Sequence, residues 1–321
     1  MCLRSFISPG VAKTDRFIER RQYHEGIAVS HFALDGSRET GNTQIPDAET
    51  WLILGDSHVE AIQVRDEATM GSVIERLARA NKHALNVKQY GWSQIAAPMY
   101  IAESEELLAK WNPTNVIVTL NRGDLGAEPL QTALHWRMEI QPDLSVKLKG
   151  VNDDTNASSS RFRVWLRERG LTPSMLLRSA GQQSSLVQSL VNRGQEIALN
   201  EQYESSDDAA AARDERTPLV APASVRGLKA AYGDRLWIVY LPHNVGAVGG
   251  ERPDDVESSL LDSCRAESVR CLSVREAMIR ERDDEHRLSR GFVNTAPNFG
   301  HLNETGHRVV AAELWREVSE K

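Results

Sequence analysis

Long apolar runs, clustered cations and Cys-x-x-Cys pairs are all missing from this 321-residue chain. No stretch reaches the roughly 20 apolar residues that a membrane-crossing helix needs, so no membrane span is expected. Residues 1–17 contain no continuous apolar segment of the kind a secretory leader carries. The cytoplasm is then the default location, with export left open. Lysine and arginine number 38 against 45 aspartates and glutamates, and no basic run stands out. Nucleic-acid binding, whose affinity rests on clustered cations, is not expected. The three cysteines, Cys2, Cys264 and Cys271, include no Cys-x-x-Cys pair. That argues against a disulfide framework and against a zinc site. Cys264 and Cys271 read as buried free thiols, paired only if the chain were exported. Aromatic residues make up 6% and no lipid-anchoring helix is evident, so a long-chain lipase is not indicated.

What is present suits a folded protein of one large domain or two small ones, with 40% hydrophobic and 26% charged residues. Residues 1 to about 48 are polar and irregular and read as an N-terminal arm laid on a main domain at 49–321. In that domain, "TWLILG" has the length of a buried strand, and "EATMGSVIERLARANK" places apolar residues at helical spacing. "ALNVKQYG" and the β-branched "NVIVTLN" are further strands, separated by the helical "IAAPMYIAESEELLAKW". The alternation breaks over about 130–225. There "LHWRMEIQPDLSVKLKG" predicts a hairpin, residues 161–203 a mostly helical segment, and "ESSDDAAAARDERTP" an exposed linker. It resumes with "RLWIVYLP", a helix over about 253–267, "VRCLSV", another helix, and a last helix from about 303. Strands alternating with helices predict an α/β protein with a parallel sheet of about five strands, interrupted by a helical insertion. The insertion is a candidate lid or specificity cap, and equally a decoration or an oligomer contact.

Ser57, in "WLILGDSHVEA", follows a predicted buried strand and precedes a helix. It therefore falls at the C-terminal sheet edge, where α/β proteins bind ligands. Gly55 permits an unusual backbone angle there. A serine hydroxyl is a poor nucleophile unless a base takes its proton. The candidate base is His301, in "NFGHLNETGHRVVAAELW", just ahead of a helix that Asn303 or Thr305 can cap. From spacing alone, a capping or surface histidine is the stronger reading of His301.

Gly55-Asp56-Ser57 after a strand, with a His-containing loop before the last helix, resembles the SGNH/GDSL hydrolase family of esterases and acyl hydrolases. The resemblance runs from about residue 50 to 320 and implies a three-layer, flavodoxin-like sheet. It implies Ser57 as nucleophile, Gly91 of "QYGWSQ" as an oxyanion-hole glycine and His301 as base. Two blocks are atypical. In "LNRGDL", Gly123 stands where the family has its oxyanion-hole Asn, with Asn121 two residues earlier. Asn298 stands where the triad Asp would be, three residues before His301, and would orient the ring as an amide. Asp283 and Asp284 are the nearest acidic pair that could replace it.

The resemblance implies serine-dependent hydrolysis of a carboxylic ester through an acyl-enzyme on Ser57. The substrate would carry a small acyl group such as acetyl on a glycan or small molecule, and no cofactor is called for. An acyltransferase using the same site and a catalytically degenerate binding protein are the alternatives. A two-metal phosphatase reading of "GDSH" lacks the further ligands it needs. Ser93 reads as a helix cap, His58 as a helix-start surface residue beside the site, and His307 as a solvent-facing first-turn residue. His243 ends a strand on the catalytic edge and could touch substrate. Arg122 could bind an anionic group or form a surface salt bridge. Trp92, Trp136 and Trp165 could line a pocket, with core packing the alternative.

Overall fold

The computed structural model describes residues 11–13, 17–22, 25–92, 95–125, 136–141, 143, 145–150, 217–243, 245 and 251–319. The helical pattern over 161–203, the linker before residue 217, Cys2, Ser93 and Trp165 lie outside the described residues, as does the side chain of Trp136.

The arm is not irregular. Strands β1 (Val11–Lys13), β2 (Phe17–Gln22) and β3 (Ala28–Ala33) form an antiparallel three-stranded sheet in the order β1-β2-β3. In β3 the burial alternates, as a strand with one covered face requires. Polar composition hid this pattern.

The main domain follows as β4 (Glu49–Gly55), α1 (Ser57–Glu60), α2 (Met70–Ala80), β5 (Leu85–Gly91), α3 (Ala97–Ala102), α4 (Ser104–Trp111) and β6 (Asn115–Leu120). A hairpin of β7 (Trp136–Ile140) and β8 (Val146–Gly150) belongs to the insertion, as predicted. Then come α5 (Thr217–Tyr232), β9 (Leu236–Tyr240), α6 (Asp255–Ala266), β10 (Arg270–Ser273), α7 (Arg275–Glu285) and α8 (Glu304–Ser319).

Five strands pair in the order β10-β9-β6-β4-β5, and every pairing is parallel. This is the flavodoxin-like order, whose direction of growth reverses between β4 and β6. The central strands are buried on both faces, which is why they read as continuous apolar runs. Alternate residues divide between two cores. Trp51 and Ile53 of β4 pack with α2, α7 and α8 on one side. Leu52 and Leu54 pack with α3 to α6 on the other. Three layers result. Among the described residues, no helix is long and apolar enough to cross a membrane.

The cysteines differ from expectation. Cys264, at the end of α6, and Cys271, in edge strand β10, form a disulfide across seven residues of sequence. Sequence spacing left this pairing as the lesser reading, because the turn from α6 into β10 is what brings the two Cα atoms to 6.1 Å. Closing so short a loop constrains the unfolded chain by roughly 2–3 kcal/mol. Replacing both cysteines with alanine is expected to lower the thermal midpoint by roughly 5 °C. Scanning fluorimetry with and without reductant reads this, and a midpoint insensitive to both would show that the bond contributes nothing.

Candidate active site

The site begins where β4 ends. The Asp56 carboxylate accepts the His58 backbone N–H at 2.9 Å and caps α1, making Ser57 its first residue. Gly55 and Gly91 are register partners at the ends of β4 and β5. Neither has a positive φ. Space, not backbone angle, requires them. A Cβ on Gly91 would lie 2.3 Å from the Glu60 nitrogen, and one on Gly55 would lie 2.1 Å from Thr119 Oγ1. Gly91 thus sits directly beneath α1 and lets that helix close onto the sheet.

The loop before α8 carries His301. Asn303 caps α8 by accepting the Gly306 N–H at 3.0 Å, and its amide holds the Leu288 and Gly291 carbonyls. His301 Nε2 lies 2.8 Å from Ser57 Oγ. On the other side of the ring, Nδ1 lies 2.5 Å from Glu25 Oε2, and the His301 backbone N–H donates to Glu25 Oε1. A carboxylate at Nδ1 places the ring proton there and leaves Nε2 to accept from the serine hydroxyl. Gly300 makes this approach possible. Its φ is +82°, and a Cβ there would stand 2.1 Å from Glu25 Oε1. Burial pushes the Glu25 carboxyl up, but the side-chain and backbone hydrogen bonds from His301 outweigh it and leave the pKa below the ordinary value.

The acid facing His301 is therefore in the arm, not in the last loop. Asn298, expected at Nδ1, instead occupies a left-handed turn (φ +59°), a conformation asparagine tolerates. It borders a cavity of about 10 Å³ with Ser289 and Arg290. Asp283 pairs with Arg282 on the exposed side of α7.

Asn121 and Gly123 follow β6. The Asn121 Nδ2 donates to Asp56 Oδ2 at 2.8 Å, while its Oδ1 accepts the Gly123 N–H at 2.6 Å. These partners fix the amide orientation and hold it beside the residue preceding Ser57. Asp124 is buried and accepts the Asn121 N–H at 2.8 Å. Burial, reinforced by the neighbouring Asp56 charge, pushes the Asp124 carboxyl well above the usual carboxylate range. Arg122 pairs with Asp254 and Asp255. Trp92 packs against the core on the α3–α6 side.

Two histidines expected at the surface are buried. His58 Nδ1 accepts the Leu302 N–H at 3.3 Å, so the neighbour of Ser57 supports the neighbour of His301. His307 Nδ1 accepts the Met70 N–H at 3.2 Å at the start of α2. Sequence reasoning missed Arg290 altogether. It is buried and donates to the carbonyls of Gly300, at 2.8 Å, and Pro242, at 3.1 Å, with His58 Nε2 3.2 Å away. It thereby ties together the loops that precede His301 and His243. Burial lowers its pKa to about 10. Glu25 had only the weak signal of a glycine next to each partner, Gly26 and Gly300.

No protein-family model matches this chain, and no curated protein matches it in sequence. Solved structures that resemble it include a lipase/acylhydrolase from Enterococcus faecalis, with 12% identity over 85% of this chain and 96% of that one, at a TM-score of 0.44. An α/β hydrolase, LAE5, from the metagenome of Lake Arreo matches at 13% identity over 83% and 93%, with a TM-score of 0.43. The acetyl xylan esterase AlAXEase matches at 13% over 84% and 99%, with a TM-score of 0.41. Likeness at this level leaves the chemistry to rest on the site itself.

The buried imidazoles make stability depend on pH. Burial, then the Arg290 charge, lowers the pKa of His243 to about 4 and holds that of His58 well below normal. Burial, then Arg38, lowers His307 to about 3. In the unfolded chain each ring binds its proton near 6.5. The unfolded state therefore gains protons first as pH falls, and stability is lost from about pH 6.5 down to the folded pKa values. A buried imidazole such as His307 contributes about 1.4 kcal/mol per pH unit across that window. Urea denaturation between pH 7 and 4 is expected to show a falling midpoint, with a shallower fall in His307→Asn. An equal slope in the two proteins would remove His307 from this account.

Proposed function

We propose that the protein hydrolyses carboxylic esters by acyl transfer through Ser57. One observation carries this reading: the unbroken hydrogen-bonded chain from Ser57 Oγ through His301 to Glu25. Ser57 Oγ attacks the ester carbonyl carbon while His301 Nε2 takes the hydroxyl proton. Glu25 holds the tautomer and balances the imidazolium charge, the part an Asp plays in other triads. The Ser57 backbone N–H and the second N–H of the Asn121 carboxamide, held beside Asp56, are the proposed donors to the oxyanion. Gly91 contributes by admitting α1. The tetrahedral intermediate collapses, His301 returns its proton to the departing alcohol, and the acyl group remains on Ser57. A water activated by His301 then attacks the acyl carbon, releasing the acid and restoring the serine. No cofactor enters this sequence.

The proposed substrates carry a compact acyl group such as acetyl on a glycan or small molecule. Transfer to another acceptor would use the same residues, and the same assay detects it when alcohols or sugars are added. A degenerate binding protein was favoured by the amide at position 298 and by Gly123; Glu25 at the His301 ring and the Asn121 carboxamide beside Asp56 support an intact site in their place.

Ser57→Ala is expected to lower turnover of p-nitrophenyl acetate by about 10⁴-fold or more, and Glu25→Gln by about 10⁴-fold. Asn298→Ala is expected to change turnover far less. A fluorophosphonate should label the wild-type protein once, on the peptide containing Ser57. Equal turnover by wild type and Ser57→Ala would dismiss the nucleophile assignment. Full activity in Glu25→Gln would dismiss the arm's carboxylate.

A further inference from the structure

Among the described residues, the large apolar side chains that stand exposed come from two stretches only. They are Ile27, Val29 and Leu34 in the arm and Val293 and Phe299 in the loop before α8. Elsewhere among the described residues such side chains are at least partly covered. Single exposed apolar residues are ordinary, but their concentration in one neighbourhood marks a surface that meets something apolar.

These two stretches are the ones that meet at the site. Glu25 is bonded to His301, and the next residue, Gly26, exchanges two hydrogen bonds with Asn294: its N–H donates to Oδ1 at 2.9 Å and its carbonyl accepts Nδ2 at 3.3 Å. Ile27 follows Gly26, and Val293 precedes Asn294. Phe299 is two residues from His301, and two residues of chain span at most about 7 Å. Their exposures are 67% for Ile27, 96% for Val293 and 70% for Phe299. The segments are held in place by Gly26 and Asn294, and no loop rearrangement is needed to present these side chains. Leu34 lies beyond the far end of β3 and is not part of this group.

We propose that Ile27, Val293 and Phe299 form a subsite for an apolar group carried by the ester. This rests on the ester-hydrolase reading and refines its substrate class. The departing alcohol takes its proton from His301, so an alkyl or aryl group on the alcohol side that extends past that ring is removed from water by these side chains, whereas a glycan would set hydroxyls against them. Recognition by apolar area is non-directional, so preference rises with the size of the group and not with one shape.

The test compares kcat/KM across two ester series, in wild type and in the triple variant Ile27→Ser, Val293→Ser, Phe299→Ser. One series lengthens the acyl group from p-nitrophenyl acetate to octanoate, and the other lengthens the alcohol of acetate esters from methyl to octyl. Wild type is expected to prefer the longer alcohols, the acyl group staying compact. The triple variant is expected to reduce that octyl-to-short ratio by about 10-fold, since each methylene covered by apolar surface is worth up to a several-fold change. Because the three positions are exposed, folding is checked by an unchanged thermal midpoint, and Phe299→Ser alone gives a milder second reading of the ratio. Ser57-dependent turnover with the same ratio in wild type and variants would overturn the subsite while leaving ester hydrolysis standing. Binding of wild type to phosphatidylcholine vesicles, lost in the triple variant with no change of ratio, would assign the surface to a lipid bilayer and overturn it too. If no ester is turned over in a Ser57-dependent way, the hydrolase reading falls, and this proposal falls with it.

Discussion

The contact between Glu25 and His301 holds together parts of the molecule that share no element of structure. Glu25 belongs to the arm, outside the parallel sheet, while His301 belongs to the loop that feeds the last helix. Two hydrogen bonds join them, one to the ring and one to the backbone, so the carboxylate fixes both where the imidazole stands and which nitrogen keeps its proton. Everything else about the site is compatible with that contact. Gly300 clears the path for the carboxylate, Arg290 ties down the peptide between them, and Asn303 closes the loop onto its helix.

Around this contact the molecule sorts its ionisable groups by environment. Glu25 and Asp124 are both carboxyls near the sheet edge, yet they are driven in opposite directions. Hydrogen bonds from His301 favour the ionised form of Glu25, whereas burial and the Asp56 charge favour the protonated form of Asp124. The imidazoles are divided too. His58, His243 and His307 are kept neutral by burial and nearby guanidinium groups, with His58 and His307 each accepting a backbone N–H.

Much of the architecture was legible because its signals are local. The five parallel strands are short apolar runs bounded by polar turns, and their alternation with helices restricts the topology. Ser57 and His301 were legible because each sits at an element boundary with neighbours that mark it. Glu25 was not, since 276 residues separate it from His301 and the neighbouring Gly26 is too weak a sign to announce a partner. Asn298 was misplaced by trusting a three-residue spacing, where the backbone uses that position for a left-handed turn. His58 and His307 were read as exposed because polar residues at helix starts commonly are. Both instead cross a packed interface to satisfy a backbone N–H. The disulfide needed the turn between α6 and β10, which spacing does not reveal.

The distance in sequence between Ser57 and His301, 244 residues, has a consequence for assembly. Contacts so remote close late, because the loop entropy between them must be overcome before they contribute. The nucleophile's strand and its sheet neighbours β5 and β6 can therefore organise while the hydroxyl still faces water alone. Whatever chemistry the hydroxyl performs with its base is confined to molecules in which the first and last parts of the fold have met. A partly folded chain carries the serine without the imidazole that faces it in the finished fold.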